Sequence, residues 1–172
     1  MALDKNVVLI IAHQRFRDEE LLKPKKILED QGVRITIASS SLETSTGMLG
    51  ARVKPDILLN DINVDDYDAV VFVGGGGAQE YWNNPNAHAI AKKAFESNKL
   101  VCAICIAPVT LANAGLLEGR RATVWHSEGD AIKAKGAVYT GAGVEVDGNI
   151  ITSDGPSSAD KFGWAIINAL KG

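Results

Sequence analysis

Apolar residues fall into short, nearly unbroken runs separated by stretches of helical period. Val7 to Ala12, Val33 to Ala38, Ala69 to Val73 and Leu100 to Ile104 are each too apolar to have a wet face. Strands buried on both sides belong to a parallel sheet. Between them, Leu21 to Gln31, closed by Gly32 as a C-cap, and Asn86 to Ser97 are long enough to be right-handed crossover helices. The pattern predicts a doubly wound α/β domain with helices on both faces of the sheet.

Elsewhere the pattern is less regular. Thr44 to Leu59, with Gly47, Gly50 and Pro55, reads as an irregular or hairpin excursion. Later come a helix near Pro108 to Ala114, a strand near Thr123 and a helix from Ser127 to Lys135. Val144 to Ile151 carries a hairpin turn at Asp147-Gly148, and Pro156 to Leu170 closes as a helix.

The chain has 172 residues, 46% apolar and 23% charged, with no repeat or linker, so one domain over 1–172 is expected. A net charge of −3 offers no field for phosphate backbones or anionic lipids, and Lys23 to Lys26 reads as a solvated helix face. Neither nucleic acid nor a membrane is expected as a partner. The first residues lack the apolar region and cleavage site of a signal peptide, which points to the cytoplasm.

In open α/β sheets the chemistry lies just beyond the carboxyl ends of the strands. Cys105 ends one strand, and Pro108 sits in the first turn of the helix that follows, as in a nucleophile elbow. The two readings are a thiol whose pKa is lowered by the helix N-terminus and an unreactive core cysteine. Cys102 lies inside the apolar run and reads as inert core. Gly74 to Gly77 end another strand, either as a plain loop or as backbone N–H groups free to face an oxyanion. Glu20, near the start of the first helix, is either a carboxylate favouring a helix N-terminus or a general acid–base. His126 lies beyond the strand near Thr123, either incidentally or within reach of a thiol; His13 ends the first strand, and His88 reads as surface. The histidine spacing makes no metal site, and no cofactor is expected.

Together these residues resemble the ThiJ/PfpI superfamily. The resemblance rests on Phe16-Arg-Asp-Glu-Glu-Leu-Leu-Lys-Pro24, Tyr67 to Gly75, Ala103-Ile-Cys-Ile-Ala-Pro108, Leu111 to Leu117 and Thr152-Ser-Asp-Gly-Pro156, in that order along nearly the whole chain. It implies a flavodoxin-like sandwich related to class I glutamine amidotransferases. It also implies Cys105 as nucleophile, Glu20 as its carboxyl partner, the Gly75 and Ile106 amides as oxyanion donors, and His126 as an assisting base. Members are commonly homodimers or hexamers with the site near a subunit interface, which Ser153, Asp154 and Pro156 would border. Two positions depart from the pattern: Ile106 stands where PfpI-type proteases carry histidine, and Val73 where a proline is usual. The implied activity is glyoxalase- or deglycase-like chemistry on small reactive carbonyls or their adducts. An oxidative-stress sensor or holdase acting through Cys105 is the alternative, and a cysteine peptidase or amidase comes last.

Overall fold

Four apolar runs assemble into the heart of one sheet in the computed structural model, which describes residues 2–172. In chain order the strands are β1 (Asn6–Ile10), β2 (Gln14–Phe16), β3 (Arg34–Ser39), β4 (Ser45–Gly47), β5 (Arg52–Val53), β6 (Ile57–Leu58), β7 (Ala69–Phe72), β8 (Leu100–Ile104), β9 (Arg121–Ala122), β10 (Val138–Tyr139), β11 (Val144–Asp147) and β12 (Ile150–Ser153). The helices are α1 (Asp18–Asp30), α2 (Pro85–Glu96), α3 (Pro108–Asn113), α4 (Gly129–Lys133) and α5 (Ala159–Leu170).

The seven-stranded sheet has the order β11-β12-β8-β7-β1-β3-β6. Its neighbours run parallel except at the β11–β12 hairpin, which turns at Gly148 with φ +59°. Alternate residues of each strand feed opposite cores. Val7 and Leu9 of β1 and Cys102 of β8 pack toward α1 and α5, whereas Val8, Ile10 and Ala103 pack toward α2 and α3. Burying each valine- or leucine-sized side chain contributes roughly 1.5–3 kcal/mol, so both faces must be covered.

The chain leaves β1 in one direction to β3 and returns on the other side to β7, so the topological switch lies between β1 and β7. The start of α1, the glycine loop after β7 and the turn after β8 therefore converge at one end of the sheet.

Helix ends follow local chemistry. Asn84 caps α2, its Oδ1 accepting from the N–H groups of Asn86 at 2.8 Å and Ala87 at 3.1 Å, with Pro85 at the first helical position. Gly32 ends α1 with φ +86°, and the Gly32 and Val33 N–H groups donate to the Glu29 and Leu28 carbonyls. At its other end α1 begins at Asp18, three residues before the apolar periodicity starts, because Asp18, Glu19 and Glu20 favour a first turn.

The excursion expected over Thr44 to Leu59 holds the β4–β5 hairpin, which joins β2 in a three-stranded sheet, and β6 extends the main one. Two expectations are corrected. The strand near Thr123 is the two-residue β9, which pairs with β10 in a separate sheet. The helix expected over 127–135 is a 3₁₀ turn, His126–Glu128, followed by the short α4. No helix is long and apolar enough to cross a membrane among the described residues.

Candidate active site

Cys105 directly follows β8 with φ +65°, a left-handed conformation that costs a non-glycine residue on the order of 1 kcal/mol or more. Hydrogen bonds hold it there. Its N–H donates to the Ser153 carbonyl at 3.0 Å, and its carbonyl accepts from the Trp125 N–H at 2.7 Å. The Trp82 indole Nε1–H donates to the Ile106 carbonyl at 3.0 Å. The Trp82 carbonyl in turn accepts from Asn113 Nδ2 at 3.0 Å and lies 2.8 Å from His88 Nε2. Both peptides after the cysteine are thus pinned, and Pro108 opens α3 where a missing N–H is harmless.

Glu20 sits in the first turn of α1 and is fully buried. Neither of its carboxyl oxygens makes a well-formed hydrogen bond among the described residues. The Cys105 thiol and the Gly74 backbone face it. Gly74 allows this approach: a β-carbon there would strike Glu20 Oε1 and come within 2.5 Å of Cys105 Cβ and the Ile104 carbonyl. A β-carbon on Gly75, at φ +102°, would clash in the same way with the backbone of Arg15, Phe16 and Arg17. The run is therefore more than a plain loop, since these residues must be small for the β1 and β7 loops to interlock.

Burial pushes the Glu20 carboxyl up to about 8, against which its contact with Cys105 and the nearby Arg17 charge act only in part. Burial also pushes the Cys105 thiol up, to about 12, and the Glu20 charge adds to the rise. The backbone N–H groups of Gly75 and Ile106 face the sulfur and work in the opposite direction. Of the two readings, an acidic thiol is the one this disfavours: desolvation and the Glu20 charge outweigh the two backbone N–H groups. At neutral pH the two groups form a proton-bearing pair.

The thiol opens into a cavity of about 290 Å³. Its walls are mostly apolar, including Trp82, Trp125, Met48 and Pro156, with Arg17 and Glu128 also at the lining. Of these, Trp82, Trp125, Met48 and Glu128 were not singled out from the sequence, because the lining comes from five separate loops. Met48 reaches the site through Asp18, whose carboxylate accepts from the N–H groups of Leu49 at 2.9 Å and Ala51 at 2.8 Å. The Met48 sulfur then accepts from the Gly76 N–H at 3.4 Å.

The histidines do not join this group. His126 is exposed, sits beside Trp125 with ring centroids 4.6 Å apart and planes tilted by 45°, and lines a separate pocket with Asp154 and Tyr139. His126 is not among the residues lining the thiol's cavity, although its neighbours Trp125, Ser127 and Glu128 are. His13 is also absent from that cavity, its N–H donating to Glu80 at 2.8 Å. His88 is half-buried rather than surface. No cluster of three His, Cys, Asp or Glu side chains suited to a metal occurs among the described residues.

Residues 5–169 match the model of the DJ-1/PfpI family. An uncharacterised protein of Methanocaldococcus jannaschii is 40% identical over 96% of this chain and 82% of its own. A deglycase of Thermococcus kodakarensis is 36% identical over 91% of this chain and 93% of its own. A glutathione-independent glyoxalase of Caenorhabditis elegans is 27% identical over 100% and 92%. The crystal structure of a ThiJ/PfpI domain protein from Brachyspira murdochii superposes with a TM-score of 0.94 at 32% identity, covering 96% of each chain. With the elbow, the glycine loop and the switch-point sheet all lying inside the matched span, the chain belongs to the DJ-1/PfpI family.

Proposed function

We propose that this single-domain protein is a cofactor-independent glyoxalase- or deglycase-like enzyme that uses Cys105 on small reactive carbonyls or their adducts. The observation that carries this reading is a cavity-lining thiol on a strained backbone, backed by a buried carboxyl that burial raises to about 8. Such a carboxyl is matched to moving protons near neutral pH. The names of the deglycase and glyoxalase relatives support the same class.

For a 2-oxoaldehyde the sequence of bonds is as follows. The Cys105 sulfur bonds to the aldehyde carbon, the carbonyl π bond breaks, and the thiol proton passes through Glu20 to the oxygen. The Gly75 and Ile106 N–H groups stabilise the negative charge on that oxygen. Glu20 then takes the proton from the aldehyde carbon and returns it to the neighbouring carbonyl carbon, while the hydroxyl proton on the first carbon passes to the ketone oxygen. The first carbon is oxidised to a thioester and the second reduced to an alcohol. Water cleaves the thioester, giving a 2-hydroxy acid and the free thiol, so the net change is addition of one water. Wild type should convert methylglyoxal to lactate and Cys105→Ser should not; equal conversion by both overturns the reading.

A second reading is an oxidative-stress sensor or holdase switched by Cys105 oxidation, in which two peroxides convert the thiol to a sulfinic acid and two waters. It is favoured by the protonated Glu20, a donor facing the sulfur. Mild peroxide should then add two oxygens to Cys105 and none to Cys102; equal oxidation of both counts against it. A peptidase finds least support, since Ile106 occupies the histidine position and His126 lies outside the cavity.

Both cysteines are free thiols, which suits the reducing cytoplasm. Exposed Met48, Leu49 and Trp125 near the cavity support a homo-oligomer whose subunits meet there, and light scattering distinguishes dimer from hexamer.

A further inference from the structure

The cavity above Cys105 is built for more than a methyl group. A void of about 150 Å³ lined by apolar side chains is enough to hold benzene, whereas this one measures about 290 Å³. Its apolar walls are also fixed in place. Trp82 is held by its indole hydrogen bond to the Ile106 carbonyl. The Trp125 ring lies against Gly155, where a β-carbon would come within 2.9 Å of Cε3. Met48 is tied to the Gly76 N–H, and Pro156 has little freedom of its own.

The charges argue against an anionic substrate. Arg17, the one cationic side chain at the lining, is engaged by Glu19, with Nε–Oε1 at 2.8 Å and Nη2–Oε2 at 3.0 Å. Glu128 adds a carboxylate to the same cavity. The guanidinium of Arg15 packs against Gly76 but is not part of the lining.

We propose that the site selects 2-oxoaldehydes whose ketone carbon bears a flat aromatic or similarly bulky, uncharged apolar group, seated between Trp82 and Trp125 while Cys105 takes the aldehyde. The proposal rests on the enzymatic reading above and specifies its substrate class. Aromatic walls favour a flat ring through offset or edge-to-face contact, and the hydrogen bond that orients Trp82 before binding lowers the entropic cost.

The test compares phenylglyoxal with methylglyoxal, following mandelate and lactate by chromatography. The expected result is a kcat/KM for phenylglyoxal at least tenfold higher. Trp125→Ala, which keeps the backbone N–H on Cys105, should reduce that preference by up to about tenfold. An equal or greater kcat/KM for methylglyoxal overturns the aromatic preference and leaves the enzymatic reading standing. Turnover of neither compound overturns both. Independently of turnover, acetophenone should quench the tryptophan fluorescence of Cys105→Ser saturably and at lower concentration than acetone; identical quenching by the two overturns the proposal.

Discussion

Glu20 and Cys105 meet at the bare α-carbon of Gly74, one carried by the first turn of α1 and the other by the turn after β8. Any side chain at position 74 would have to occupy the space the two groups share. Gly74→Ala should therefore cost on the order of 2–4 kcal/mol, since the clash involves backbone as well as side chains. Urea unfolding measures the loss, and an undiminished midpoint would show that the loops can separate freely.

The burial of Glu20 makes stability depend on pH in a definite direction. An unfolded glutamate ionises near 4.5, whereas the folded one holds its proton to about 8. Between these values the folded state binds more protons, so stability is greatest below the window and falls as pH rises through it. Glu20→Gln keeps the shape and removes the ionisation. The variant should be more stable than wild type at pH 8 by on the order of 4 kcal/mol, and the difference should nearly vanish at pH 4.5.

The same substitution should move reactivity and turnover in opposite directions. Desolvation dominates the raised Cys105 pKa and remains in the variant, but the opposing Glu20 charge is gone. Alkylation of Cys105 by iodoacetamide should begin at lower pH in Glu20→Gln, while conversion of methylglyoxal falls at least about a hundredfold for want of a proton carrier. A parallel fall in both would assign Glu20 to positioning the thiol instead.

Trp82 is a positioning residue, acting on the peptide that follows the thiol. Trp82→Phe removes only the indole N–H to the Ile106 carbonyl, a bond worth about 1 kcal/mol. The pH profile of Cys105 alkylation should shift upward as the elbow loosens, with the unfolding midpoint little changed. An unmoved profile would confine Trp82 to the cavity wall.

His126→Ala should leave the Cys105 alkylation profile where it is, since the imidazole sits beside Trp125 and lines another pocket. A changed profile would mean that the ring reaches the thiol by a route this chain does not provide.

Periodicity and composition were enough to determine the layered parallel sheet, its crossover helices, the β11–β12 hairpin and the glycine that ends α1. Each depends on residues close in sequence: an apolar run buries both faces of a strand, and a glycine after a helix takes positive φ without strain. The placement of Cys105, Glu20 and Gly75 beyond strand ends was legible for the same reason. Tertiary structure alone decided what those residues meet. Whether Gly74 leaves room for a carboxyl beside a thiol depends on three distant loops, and so does the desolvation that raises both pKa values. His126 looked equivalent to Glu20 as a residue beyond a strand, yet β9 lies outside the main sheet and His126 lines a different pocket from Cys105. The tryptophans and Met48 carry no spacing signal, because a cavity wall is selected by proximity in space and its members need share no period along the chain.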